Sequence, residues 1–155
     1  MVTQRKFLRV QVKNEGKRIA TNCKGSITLI NCRNGCTGPS RDRKTLRWEP
    51  GVVQQTLPPK GGEEMLDVVF SDSTPFVHPG ITCGVSQNPQ GATFHAYMST
   101  TDSVGVFPAR GGDAFCEGNF EIEILVRCDE GYHAAARFLV HVSSNYLALS
   151  MERVS

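Results

Sequence analysis

The sequence predicts an all-β protein, an immunoglobulin-like antiparallel β-sandwich of about seven to nine strands. Three observations carry this expectation. Apolar and polar residues alternate with period 2 in several short runs. Gly, Pro, Asn and Asp separate those runs at short spacing. No stretch shows the 3.6-residue periodicity of an amphipathic helix.

The first strand is Phe7–Lys13, where Leu8, Val10 and Val12 alternate with Arg9, Gln11 and Lys13. Asn14, Glu15 and Gly16 supply turn chemistry, and Ser26–Cys32 is expected to return and pair with the first run. Residues 33–44, with Gly35, Gly38 and Pro39, read as a polar loop. Thr45–Glu49 places Leu46 and Trp48 on one face, and Val52–Leu57 extends or edges that strand. Pro58, Pro59, Gly61 and Gly62 break the chain before Leu66, Val68 and Phe70, which alternate with Asp67 and Val69. Residues 71–92 read as irregular, Thr93–Ser99 as a strand and 102–118 as a loop. The cleanest strand is Phe120–Val126, in which Phe120, Ile122, Ile124 and Val126 alternate with Glu121 and Glu123 and lead to Arg127. Asp129, Glu130 and Gly131 turn it into a second alternating run, Ala136–Val142, and the two form a hairpin. Tyr146–Glu152 fits a final strand or a short helix.

At 155 residues the chain is expected to form one domain, residues 1–155. A chain of that length buries ~70% of its unfolded surface, enough to fold without a metal or disulfide staple. No run of 18 apolar residues exists, so no membrane span is expected. The N-terminus is basic but has no apolar core, so no signal peptide is visible. A cytoplasmic setting with six reduced cysteines is the expectation if the chain is full-length, with a disulfide framework as the alternative if it is exported.

Charge is distributed unevenly. Residues 1–47 hold twelve Lys or Arg against Glu15 and Asp42, a net of +10, while residues 48–155 carry a net of −8. The simplest consequence is a wet basic sheet face that pairs with the acidic part of the chain. The alternative is a nucleic-acid or acidic-surface interface. Its candidate contacts are Arg33, Arg41, Arg43, Lys44 and Arg47 around Trp48, cations for phosphates beside a ring that could stack a base. Against it, Trp48 alternates with Leu46 as a core residue would.

Three segments carry a resemblance. Val10–Gly16, VQVKNEG, followed by Ala20, resembles the opening V-x-V-x-N-x-G and A pair of CARDB-like and related immunoglobulin-like accessory domains of bacteria and archaea. Leu57–Gly62 leading into Leu66–Phe70 is similar to their Pro/Gly turn before a central strand, and Gly118–Ile122 to their G-x-Y-x-I strand. The resemblance implies the same sandwich and a non-catalytic module of a larger surface or envelope protein. The chain departs from those relatives in its six cysteines, its basic first third and its long 71–92 segment. The antibody pattern is not met: Cys23, Trp48 and Cys128 stand in the right order, but Trp48 is too far along the chain from Cys23.

Motifs for catalysis or cofactors are missing. Cys32 and Cys36 are spaced as half of a zinc site, but no second close pair follows, and Cys83, Cys116 and Cys128 stand alone. Cys23, Cys32 and Cys128 read as small core residues. A Cys–His nucleophile would need one of His78, His95, His133 or His141, and no local feature supports it. His141 alternates outward, His133 sits beside a turn, His78 lies between Val77 and Pro79, and His95 lies on a strand near Tyr97. Gly61-Gly62 and Gly111-Gly112 do not lead into a phosphate-binding helix start. The expectation is therefore a module without enzymatic activity, without a cofactor, and with an unidentified protein partner. The loops 33–44, 71–92 and 102–118 and the sheet edges are its candidate binding surfaces.

Overall fold

The computed structural model describes residues 4–32, 39, 41–49, 51–74, 76–78, 92–101, 103 and 111–154. Within them, antiparallel strands build two packed sheets. Arg5–Asn14 (β1), Gly62–Asp72 (β5), Ala96–Met98 (β8) and Ala114–Phe115 (β9) form one, in the order β1-β5-β8-β9. The other holds Ala20–Cys32 (β2), Lys44–Thr45 (β3), Gly118–Arg127 (β10), His133–Val142 (β11) and Ser150–Arg153 (β12), in the order β12-β11-β10-β2-β3. Gln55–Leu57 (β4) pairs with β2, and Phe76–His78 (β6) pairs with Ala92–Phe94 (β7). Twelve strands among the described residues exceed the seven to nine expected, because several pieces are only two to four residues long.

The hairpin Phe120–Val142 forms as its alternation predicts, with Ile122 opposite Phe138 and Ile124 opposite Ala136. Gly131 closes the turn at φ +88°, a conformation glycine adopts without a Cβ penalty. Tyr146–Glu152 splits into a 3-10 turn, Tyr146–Ala148, and β12. The expected pairing of the first two runs is not formed. β1 pairs with β5 and β2 pairs with β10, so the turn after Asn14 carries the chain from one sheet to the other. Asn14 shapes that corner: its side chain accepts from Gly16 N–H and donates to Arg18 O and Leu57 O.

The expected face of β5 also changes midway. Leu8 faces Val69 while Arg9 faces Asp67, so Val68 is an extra, unpaired residue. A bulge of this kind reverses the alternation beyond it. Leu66 points across to β2, where Gly25 leaves it room. Phe70 lies on the opposite face with Phe7 and Tyr97, at ring distances of 5.3 and 5.6 Å. Both faces of β5 are buried from Leu66 to Asp72.

Trp48 is fully buried in the core, with its Nε1 donating to Cys23 O at 3.0 Å. Packed around it are side chains from both sheets, including Ile27, Leu66, Phe115, Phe120 and Ile122. Part of the charge asymmetry is matched across one strand pair. Arg5 pairs with Asp72 at 2.7 Å, Arg9 with Asp67 at 2.6 Å and Lys13 with Glu63 at 3.7 Å, all across β1 and β5. Burial holds the Asp67 and Asp72 carboxyls above the usual range, although Arg9 and Arg5 pull the other way.

Candidate functional site

The basic residues singled out in the sequence do not share one surface role. Arg33 lies outside the described residues, as do Cys36, Cys83 and large parts of the 33–44, 71–92 and 102–118 loops. Lys44 is turned inward: its ammonium donates to Gly112 O at 2.5 Å and to Asp113. Asp113 also accepts from Thr100 Oγ1 at 2.5 Å and from the Ser103 hydroxyl, which makes a buried polar knot rather than a nucleophile open to substrate. Arg47 is half-buried and donates to Gly51 O at 2.9 Å. Trp48 has no exposed face on which a base could stack. Arg41 and Arg43 remain exposed, Arg41 donating to Ile30 O and Arg43 to Ser26 Oγ.

Arg43 belongs to a different grouping, which the sequence did not reveal. Register places Lys24 of β2 directly opposite Arg127 of β10. Together with Arg43, Ser26, Asn22, Cys128 and Asp129 they line a surface concavity of about 290 Å³. Like charges facing each other across a strand pair repel. Neither Lys24 nor Arg127 makes an ion pair among the described residues.

At the same end of the molecule the Cys23 and Cys128 sulfurs meet at 2.9 Å. Asn22 at φ +50° turns the chain just before Cys23, and its side chain donates to Asp129. Asparagine tolerates this left-handed conformation better than most residues. Cys23 is fully buried and Cys128 half-buried; both are thiols. Burial first, and then the hydrogen bond with Cys128, push the Cys23 thiol up to about 12. Cys116, by contrast, is in a disulfide, which corrects the expectation of six reduced thiols in favour of the disulfide alternative at that position. Reading them as isolated core residues missed the pair, because 105 positions separate the two cysteines. Among the described residues no group of three or more His, Cys, Asp or Glu is placed to hold a metal ion.

A second surface feature is a seam between β1 and β11. β1 is the terminal strand of its sheet, and nothing is hydrogen-bonded to its outer edge among the described strands. β12 covers β11 only from Phe138 to His141, so His133–Ala136 has no strand beyond it. Between them lie two adjoining hollows of about 190 and 160 Å³. Val10, Val12, Ile124, Val126 and Ala134 form the floor, and Val12, Lys13, Val126 and Ala134 line both hollows. The sequence explains the gap. Ala134, Ala135 and Ala136 follow one another where a sandwich strand would ordinarily carry larger side chains, so Val10 and Val12 stay partly exposed. Alanine keeps the strand pattern but leaves the volume empty.

No helix is long and apolar enough to cross a membrane among the described residues. Compared with known proteins, the chain matches no family model, no curated protein and no solved structure.

Proposed function

We propose that the chain is a non-catalytic β-sandwich binding module that accepts an extended, apolar segment of a partner protein in the seam between β1 and β11. The observation that carries this reading is the coincidence of two unpaired strand edges with an apolar floor between them. An added strand satisfies edge backbone groups by main-chain hydrogen bonds, while alternate side chains fill the hollows and provide selectivity. Val10–Asn14 spans five residues, ~16 Å of strand, which suits a short linear segment. The resemblance to immunoglobulin-like accessory domains agrees with a module that works by contact rather than by turnover.

Selection from a random linear-peptide library on the intact chain tests this. Enriched peptides should alternate apolar and polar residues, and their binding should vanish in Ala136→Leu, a substitution that fills the hollow. The same variant should keep or raise the unfolding midpoint, which separates a blocked groove from a damaged fold. Selection of no such peptides, or binding unaffected by Ala136→Leu, would contradict the reading.

A second reading has its own observation, the opposed Lys24 and Arg127 beside Arg43. An anionic partner seated between the two cations relieves their repulsion, and its affinity should fall steeply with salt. Reversing the charge in Arg127→Glu should abolish such binding and leave peptide binding in the seam unchanged.

A further inference from the structure

We propose that Cys23 and Cys128 form a peroxide-reactive dithiol that closes into a disulfide between β2 and the residue that follows β10. Three observations support it without reference to the proposed partner. The two sulfurs are 2.9 Å apart, closer than unbonded packing requires, and no third metal-ligating group is placed with them among the described residues. They lie one position beyond Lys24 and Arg127, the pair at which the β2–β10 ladder ends, so the two backbones enter the cysteines already side by side. The pair is also asymmetric. Cys128 lines three separate surface hollows, whereas Cys23 is sealed in the core. A small oxidant therefore reaches Cys128 and not Cys23, and Lys24 and Arg127 supply positive charge at the approach.

The chemistry balances with hydrogen peroxide as the oxidant. The Cys128 sulfur attacks one peroxide oxygen; the S–O bond forms, the O–O bond breaks, and the departing hydroxide leaves as water with the thiol proton. Cys23 Sγ then attacks the oxidised Cys128 sulfur. The S–S bond forms, the S–O bond breaks, and the second hydroxide leaves as water with the Cys23 proton. Two thiols lose two electrons and two protons, and the peroxide is reduced to two waters.

The test is a peptide map of the intact chain after hydrogen peroxide, with remaining thiols alkylated and digestion under non-reducing conditions. The expected product is the Cys23 peptide joined to the Cys128 peptide with the loss of two hydrogens, and dithiothreitol should restore both thiols. Cys23→Ser removes the second step, so its Cys128 should accumulate sulfinic and sulfonic acid at a dose that leaves the parent protein cleanly cross-linked. Two alkylated thiols after treatment, or over-oxidised Cys128 without the cross-link in the parent protein, would overturn the proposal. The parent map decides the matter even where the variant folds poorly.

Discussion

Gly25→Ala is the substitution that most directly tests how the two sheets face each other. An ideal Cβ at Gly25 would lie 2.6 Å from Leu66 Cδ1 and 2.6 Å from Cδ2, and 3.2 Å from Cγ. Leu66 is fully buried beneath Trp48 and its neighbours, so its methyls cannot swing into solvent. Forcing one extra methyl into such a core costs about 1–3 kcal/mol. For a chain of this size each kcal/mol moves the unfolding midpoint by about 2–4 °C, so a drop of roughly 2–12 °C is expected. The companion variant Leu66→Ala should cost about 2–5 kcal/mol through its cavity. Combined, the two changes should cost less than their sum by about 0.5–3 kcal/mol, because the alanine methyl occupies part of the space Leu66 vacates. Urea denaturation followed by tryptophan fluorescence reads this cleanly, since Trp48 is the only tryptophan and is buried beside the contact. A neutral Gly25→Ala, or strictly additive costs in the double variant, would refute the facing of β2 and β5.

Further outcomes follow from other parts of the structure. Asp113→Ala leaves the Lys44 ammonium and the Thr100 and Ser103 hydroxyls without their shared acceptor in the interior, and should cost about 3–5 kcal/mol in urea denaturation. His95 is held below its ordinary range by burial, with Glu117 opposing. The unfolded chain therefore binds this proton more readily than the folded one, so stability should rise with pH up to about 6.5 and then level off. His95→Phe should flatten that part of the curve. Closing the Cys23–Cys128 bond across a 105-residue separation should raise the stability by about 2–4 kcal/mol, read as a higher denaturation midpoint for peroxide-treated protein than for reduced protein.

What the sequence reveals here is local, and what it hides is relational. The β10–β11 hairpin is legible because Phe120, Ile122, Ile124 and Val126 and then Ala136, Phe138, Val140 and Val142 recur at every second position, with the Asp129-Glu130-Gly131 turn between them. Trp48 is legible as core because Leu46 shares its face. The separation of β1 and β2 into different sheets is not legible, since the Asn14 turn suits a hairpin as well as a corner. The bulge at Val68 is equally silent: valine fits the paired face and the extra position alike, so alternation continues on paper where the structure reverses it. Basic residues clustered in sequence around Trp48 scatter in space, with Lys44 drawn to Asp113 and Arg47 to Gly51. Lys24, Arg127, Cys23 and Cys128 meet only because β2 and β10 pair over a long sequence separation. The seam had a visible signal in the three consecutive alanines of β11, but its meaning depends on β1 lying opposite.

Residue-resolved amide hydrogen exchange, with and without a library-selected peptide, tests the central claim most directly. In the free protein the outward-facing amides of Val10–Lys13 and His133–Ala136 should exchange rapidly, while those shared by β2, β10 and the paired half of β11 stay protected. Peptide binding should then slow exchange along both edges of the seam and nowhere else as strongly. Strong protection of these edges in the free protein, or protection by peptide that maps to the opposite side of the sandwich, would contradict a module built to take a strand between β1 and β11.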